Sequence, residues 1–201
     1  MEMFAPADYR IPHSKVVFIG SSSSGKTSLI NRIVTDAFET DSRPTLGAGL
    51  TIYNYESRVR LNIWDTAGQE NYRSLAKVYY RDAQIAVVVF DVTRKESFNE
   101  VEFWFGEISQ TVGEHRAFLV GNKIDRNSER VVSKSEAEVV ARRNMANYIE
   151  SSALNGEGIK TLIDSIAEAA INLLEDPSAH RKHPDITRIN PNDNSHDGCC
   201  K

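Results

Sequence analysis

Short runs of apolar residues alternate along the chain with segments whose apolar residues repeat every three or four positions. The run at 85–90 is apolar throughout, which is typical of a parallel strand buried on both faces of a sheet. The stretch 161–174 instead places Leu162, Ile166 and Leu173 at helical spacing, which predicts an amphipathic helix covering a sheet. Strands and helices that follow one another in this way form a three-layer α/β domain.

This alternation predicts six strands and five helices. The strands are expected at residues 15–19, 50–56, 58–65, 85–90, 117–121 and 147–151, and the helices at 26–35, 72–80, 97–111, 135–143 and 158–175. A hairpin joins the second and third strands, so we expect a mostly parallel sheet with one antiparallel edge strand. Residues 1–13 and 176–201 contain prolines without apolar periodicity, which predicts a flexible arm and a flexible tail around a domain at 14–175.

The most informative stretch is Gly-Ser-Ser-Ser-Ser-Gly-Lys-Thr at 20–27, between the first strand and the first helix. This spacing is typical of a phosphate-binding loop, in which backbone N–H groups surround phosphate oxygens, Lys26 supplies a charge and the Thr27 hydroxyl can bind Mg²⁺. The helix that follows adds the positive end of its dipole. The predicted phosphate-binding residues here are Gly20, Ser22, Ser23, Ser24, Gly25, Lys26, Thr27 and Ser28. A serine-rich turn before a lysine is the alternative interpretation.

Three further motifs follow predicted strands: Asp-Thr-Ala-Gly-Gln-Glu at 65–70, Asn-Lys-Ile-Asp at 122–125 and Ser-Ser-Ala at 151–153. The carboxyl ends of parallel strands meet at one edge of a sheet, where ligands of open α/β sheets bind. We therefore expect all three motifs to converge on the phosphate-binding loop.

With these four motifs in order, residues 15–174 resemble a small GTPase of the Ras superfamily, and within it a Rab. The Rab likeness rests on Ile-Trp-Asp-Thr-Ala-Gly-Gln-Glu at 63–70, Tyr-Tyr-Arg at 79–81 and the double cysteine at 199–200. The stretches 47–48, 74–76 and 83–84 are most similar to the early-endosomal Rabs. The resemblance implies the P-loop GTPase fold, slow hydrolysis of GTP to GDP and a requirement for Mg²⁺.

A guanine-binding site is implied at the last two motifs. The Asp125 carboxylate can accept hydrogen bonds from the guanine N1–H and 2-amino groups, which adenine does not offer in that arrangement. Asn122 would buttress the loop and contact the base, and the Lys123 stem would pack on the purine. The remaining expected guanine-binding residues are Ser152, Ala153 and Leu154, with the Ala153 N–H directed at the guanine oxygen. Taken alone, Asn-Lys-Ile-Asp could equally be a surface turn.

The resemblance also implies the metal and catalytic residues. Thr27 and Thr45 would bind Mg²⁺ directly and Asp65 through water, although a threonine beside a proline is ordinarily loop filler. Gln69 would position the attacking water and the Gly68 N–H would contact the γ-phosphate; a solvated loop glutamine is the alternative for Gln69. No arginine in the matching stretch suits a finger in cis, so an activating protein is expected to supply one.

Leu50, Trp64 and Tyr79 correspond to the three residues by which Rabs are read by effectors. Leu50 replaces an aromatic residue, in the unusual stretch Leu-Gly-Ala-Gly-Leu at 46–50, which puts recognition by the usual partners in doubt. Trp64 and Tyr79 could also be packing residues.

Composition narrows the partners. The 201 residues carry a net charge of −4 and a pI near 5.8, so no nucleic-acid partner is expected. No apolar run is long enough to span a bilayer and the first residues lack a signal peptide, which predicts synthesis and retention in the cytosol. The pair Cys199 and Cys200 resembles the double-cysteine ending of Rabs, and the resemblance implies one prenyl group on each, which would hold the protein on endomembranes; a chance pair or a Cys-His metal tail are the alternatives.

The resemblance further implies a monomer that meets an exchange factor, an activating protein, effectors and a GDP-dissociation inhibitor or escort protein. It predicts a switch in endosomal vesicle traffic, with a cytosolic pool; Rab-type traffic at another compartment is the alternative. Two rival functions remain: a nucleotide-binding scaffold with little turnover, and a phosphate-loop kinase, for which Asn-Lys-Ile-Asp has no use.

Overall fold

The computed structural model describes residues 11–39, 45, 47–68, 78–113 and 115–176. These residues form six strands, β1 to β6, five α-helices, α1 to α5, and a 3₁₀ helix. The strands are His13–Ile19, Ala48–Tyr55, Val59–Thr66, Ile85–Asp91, Arg116–Asn122 and Ala146–Ser151. The α-helices are Lys26–Thr35, Lys95–Asn99, Val101–Thr111, Lys134–Arg143 and Ile159–Glu175, and the 3₁₀ helix is Ile124–Glu129.

The strands form one sheet in the order β2-β3-β1-β4-β5-β6. β2 pairs antiparallel with β3, and every other pairing is parallel. The predicted α/β class, with six strands and a single antiparallel edge, is therefore confirmed. The predicted strands all exist, with ends displaced by one or two residues.

Two hydrophobic layers cover the sheet, one on each face. Alternate residues of β1 separate between them, because successive strand side chains point to opposite faces. Val16 and Phe18 pack with α1 and α5, while Val17 and Ile19 pack with α3 and α4. β4 lies near the middle and is buried along its whole length, as its continuous apolar run predicts.

The single helix predicted at 97–111 is wrong. Two helices, α2 and α3, meet at Glu100, whose backbone N–H bonds to the Phe98 carbonyl instead of continuing the α-helical ladder. The Glu100 carboxylate accepts a hydrogen bond of 2.6 Å from the Ser21 hydroxyl, so a contact with the phosphate loop lies at the break. The helix predicted at 72–80 falls outside the described residues except for a helical turn at 78–80.

The fold brings the chemistry to one edge. Asp65 lies near the end of β3, whereas Asp91, Asn122 and Ser151 end β4, β5 and β6. In register, Asp91 lies opposite Asn122, and Asn122 lies opposite Ser151. All four therefore sit beside the loop that leaves β1, as the spacing of the motifs predicts for Asp65, Asn122 and Ser151.

Candidate functional site

The loop between β1 and α1 depends on a backbone conformation that favours glycine. Gly25, directly before α1, has φ +94°, and a Cβ there would lie 2.3 Å from Asn122 Nδ2. Ser23 also has a positive φ, of 62°. The loop is thus a tightly bent cradle packed against the end of β5, which favours the phosphate-loop interpretation over a simple serine-rich turn.

Lys26 lies inside this cradle. Its ammonium donates hydrogen bonds to the Gly20 carbonyl at 2.8 Å and the Ser21 carbonyl at 2.9 Å. Burial lowers the pKa of Lys26 to about 8, although Asp65 and Glu100 act to raise it. A bound polyanion would favour the charged form, so the side chain is suited to contact phosphate.

Three oxygen-bearing side chains meet beside the loop. The Thr27 and Thr45 hydroxyls donate to Asp65 Oδ2 at 2.7 and 3.0 Å, and the two hydroxyl oxygens are 2.9 Å apart. The other carboxylate oxygen, Asp65 Oδ1, is buried without a hydrogen-bond partner in the described part of the chain. Mg²⁺ prefers such oxygen ligands and takes few of them from protein, so this donor set fits the ion.

Gly68 closes the cradle from the side of β3. A Cβ at this position would lie 2.6 Å from both Lys26 Nζ and the Ser22 backbone nitrogen, so only glycine allows this approach. The Gly68 backbone is therefore next to the predicted phosphate site. Gln69, the next residue, lies outside the described residues.

A cavity of about 400 Å³ adjoins the cradle. Among the residues predicted to bind guanine, Asn122, Lys123, Asp125, Ala153 and Leu154 line it. Ser23, Gly25 and Ser28, predicted to bind phosphate, line the same cavity. Ser28 thus lies among the base-binding candidates, and the two predicted halves of the site are continuous.

Hydrogen bonds within the protein fix the walls of this cavity. Asn122 Nδ2 donates to the Ser24 carbonyl at 2.9 Å, and Asn122 Oδ1 accepts from the Ala153 N–H at 3.4 Å. The Ser152 hydroxyl donates to the Asp125 carboxylate and accepts from the Asn155 N–H at 3.2 Å. The carboxylate of Asp125 is therefore oriented before any ligand binds.

Sequence reasoning missed two residues that line the cavity, Phe38 and Arg126. Phe38 is the single aromatic residue between positions 36 and 49, which is the one signal that could have marked it. Arg126 directly follows Asp125, and its guanidinium bonds to Glu129, including a contact of 3.0 Å from Nε. Both supply flat surfaces against which a planar ligand can pack.

The structure also brings Leu50, Trp64 and Tyr79 together. Leu50 pairs with Trp64 across β2 and β3, and the Trp64 and Tyr79 ring centroids are 5.6 Å apart. A second cavity, of about 460 Å³, begins at Leu50 and Trp64 and extends to His13 and Lys15. The trio therefore forms a continuous surface with half of the Leu50 side chain exposed.

Cys199 and Cys200 lie beyond the last described residue. Comparison with protein families finds that a model of the Ras family matches residues 15–172. The match runs from β1 to within α5 and contains the phosphate-binding loop and the three motifs at 65–70, 122–125 and 151–153.

Proposed function

The chain belongs to the Ras family, and from this premise we propose that it is a Rab-type switch in endosomal vesicle traffic. Family membership makes the chain a small GTPase, a GTP-binding switch with exchange factors, activating proteins and effectors as its partners. One observation carries the assignment of the site: the cavity beside Asp125 is fastened to the phosphate loop by the bond from Asn122 to the Ser24 carbonyl.

Base selection is assigned to Asp125. Its carboxylate would accept two hydrogen bonds from guanine, while Ser152 keeps it facing the cavity. Adenine offers neither of these donors to the carboxylate, and a site built this way rejects such an analogue by roughly 10⁴ to 10⁵. The Lys123 stem and Leu154 supply apolar surface for the base.

Phosphate and Mg²⁺ binding are assigned to the other half of the site. Lys26 and the backbone of the loop would hold the phosphates, and Thr27, Thr45 and Asp65 would hold the ion. Bound Mg²⁺ neutralises phosphate charge and orients the transferring group. Because Thr45 lies in the loop before β2, its contact is the one we assign to sensing the γ-phosphate.

Hydrolysis is assigned to Gly68 and Gln69. The Gly68 N–H would contact the γ-phosphate and Gln69 would orient the water, so the reaction depends on positioning and electrostatics. An activating protein that inserts an arginine accelerates such reactions by roughly 10³ to 10⁵. Single-turnover GTP hydrolysis with and without such a protein, against Gln69→Leu, tests this assignment. Slow turnover that neither the activating protein nor Gln69→Leu changes would instead favour a nucleotide-binding scaffold with little turnover.

The nucleotide carried by the purified protein tests the site as a whole. The protein is denatured and its released nucleotide is identified by chromatography, with Lys26→Ala as the matched control. We expect GDP or GTP from the wild type and a strongly reduced yield from the variant. Adenine nucleotide, or none, from the wild type would contradict the proposal.

The traffic assignment rests on the Rab-like stretches at 63–70 and 79–81 and on the terminal cysteines. No helix of the described residues has the length and apolarity to cross a bilayer. We propose that prenyl groups on Cys199 and Cys200 attach the chain to endosomal membranes, since two lipid chains hold a protein firmly where one does so marginally. A GDP-dissociation inhibitor or escort protein would then carry the cytosolic pool.

Cell fractionation with microscopy tests this assignment. Cys199→Ser combined with Cys200→Ser should move the tagged protein entirely into the soluble fraction, whereas Ser195→Ala in the same tail should leave it on membranes. Membrane attachment that survives the double substitution would refute the lipid anchor, and wild-type staining away from endosomes would refute the compartment.

A further inference from the structure

Asp91 is a buried carboxylate beside the site that none of the four motifs contains. It ends β4, lies opposite Asn122 in the sheet register and is wholly inaccessible to solvent. Its Oδ2 atom lies 2.8 Å from Lys123 Nζ. A fully buried charge is stable in a protein only beside a group of opposite charge or a hydrogen-bond partner. The Lys123 ammonium is the group of opposite charge for Asp91.

The other oxygen of Asp91 is fixed as well. Oδ1 accepts hydrogen bonds from the Thr93 backbone N–H at 2.9 Å and from the Thr93 hydroxyl at 2.7 Å. Burial by itself would raise the pKa of Asp91, but the bonds from Lys123 and Thr93 outweigh it and hold the pKa below the ordinary value. Asp91 is thus an ionised anchor with one orientation.

Both the backbone and the side-chain ammonium of Lys123 are fixed in place. Its backbone is left-handed, with φ +68°, and its ammonium also donates to the Ser23 carbonyl at 2.9 Å. The same side chain lines the 400 Å³ cavity. One ammonium group therefore joins the end of β4 to the phosphate loop while its stem forms a wall of the base pocket.

We propose that Asp91 is a positioning residue for guanine-nucleotide binding. Its carboxylate holds the Lys123 ammonium on the Ser23 carbonyl, and this fixes the stem against the base and the spacing between base pocket and phosphate loop. The inference rests on the base-binding role proposed for Lys123. A lysine without this anchor would exchange its contact with Ser23 for water, because long charged side chains lose conformational freedom when held.

The test is a double-mutant cycle on the rate of GDP release, followed with a fluorescent GDP analogue. Asp91→Asn has the same shape and keeps an acceptor for Thr93 but removes the charge. We expect it to accelerate release about tenfold, as for coupled polar pairs. Lys123→Met should accelerate release further, and Asp91→Asn should add nothing in the Lys123→Met background. Asp164→Asn is the control and should leave release unchanged, because it alters a carboxylate of α5 that bonds to Lys160 and to Tyr55, at the end of β2 remote from Asp65.

Full additivity of the two substitutions, or unchanged release from folded Asp91→Asn, would overturn the inference. If Asp91→Asn does not fold, Thr93→Val takes its place in the double-mutant cycle. Thr93→Val removes one hydrogen bond to Asp91 and leaves the charges of Asp91 and Lys123 in place. Wild-type GDP binding is measured first: its absence would refute the proposed function, whereas normal wild-type binding with no coupling would refute the positioning role alone.

Discussion

The base pocket and the phosphate cradle are adjacent, yet they differ in how far the protein itself satisfies their polar groups. In the base pocket, polar side chains bond to protein: Asn122 to the Ser24 carbonyl and Ser152 to Asp125. In the cradle, a buried ammonium at Lys26 has its charged form disfavoured by burial, and Asp65 gathers two hydroxyls on one oxygen while the other has no partner among the described residues.

The difference divides the work of a switch. A preformed pocket can recognise the part of the nucleotide that does not change, because its geometry costs little to maintain on binding. In the cradle, bound phosphate stabilises the Lys26 charge and a bound cation stabilises the Asp65 carboxylate. The cradle can therefore respond to the part of the nucleotide that does change. A substitution in the base pocket should leave the cradle intact, and a substitution in the cradle should leave the base pocket intact.

The largest effect is expected from Asp125→Asn in the base pocket. The amide keeps one acceptor oxygen, so one charge-assisted hydrogen bond of about 1.5–3 kcal/mol is lost and the other becomes a weaker neutral bond, and GDP affinity should fall by about 2.5–4.5 kcal/mol. The new amide can donate to the 2-oxygen of xanthine, so affinity for xanthosine diphosphate should rise. Competition binding with the two nucleotides measures both changes, with Asp164→Asn as the control. Unchanged preference would remove Asp125 as the base selector.

The next effect concerns Lys26 and the pH dependence of folding. Its pKa is about 8 in the folded chain against 10.5 as the ordinary value, so the unfolded chain binds more protons between these limits. Stability of the nucleotide-free protein should therefore rise with pH across that window, by about 2 kcal/mol between pH 8 and pH 10. Phosphate in the cradle favours the charged form, so bound GDP should flatten the rise.

Urea unfolding of the wild type and of Lys26→Met at several pH values isolates this contribution. The difference in free energy of unfolding between the two proteins should follow the Lys26 titration. Parallel curves for wild type and variant would show that burial of Lys26 carries no such cost.

The same division separates what sequence reasoning could predict from what it could not. Local patterns predict β4 from its apolar run, and motif spacing predicts which strand ends meet, since both follow from the geometry of a parallel sheet. The break at Glu100 escaped prediction because the helical period continues through it, and the contact with Ser21 is tertiary. The ion pair between Asp91 and Lys123 was not predicted either, because it is also a tertiary contact, between the end of β4 and the residue after β5.

Candidate residues were easier to predict than their surroundings. The residues predicted to bind base and phosphate lie around one cavity and cradle where the structure describes them. The additional walls at Phe38 and Arg126 carry no spacing signal, since an aromatic in a polar loop and an arginine on a turn are common on any surface. The tertiary packing of the chain decides that Phe38 and Arg126 line the cavity.

A smaller effect is expected from Ser152→Ala, which tests how far the base pocket is preformed. The substitution removes the hydroxyl that orients Asp125 and accepts from the Asn155 N–H. The loss of about 1–2 kcal/mol should weaken GDP binding roughly tenfold. The neighbouring Ser151 hydroxyl is buried with no hydrogen-bond partner in the described chain, so Ser151→Ala is a matched control that should bind GDP normally. Equal behaviour of the two variants would show that Asp125 needs no orientation.

The smallest effect is expected at the rim of the same pocket, from Glu129→Gln. The Arg126 and Glu129 side chains are about half exposed, so their ion pair is screened by water and salt. GDP affinity should fall by less than about threefold, and the difference should vanish in 1 M salt. Arg126→Ala, which removes a wall of the cavity, should weaken binding more and at every salt concentration, because its loss is one of contact area. Equal, salt-independent losses in both variants would mean that Glu129 fixes the rim as firmly as Ser152 fixes Asp125.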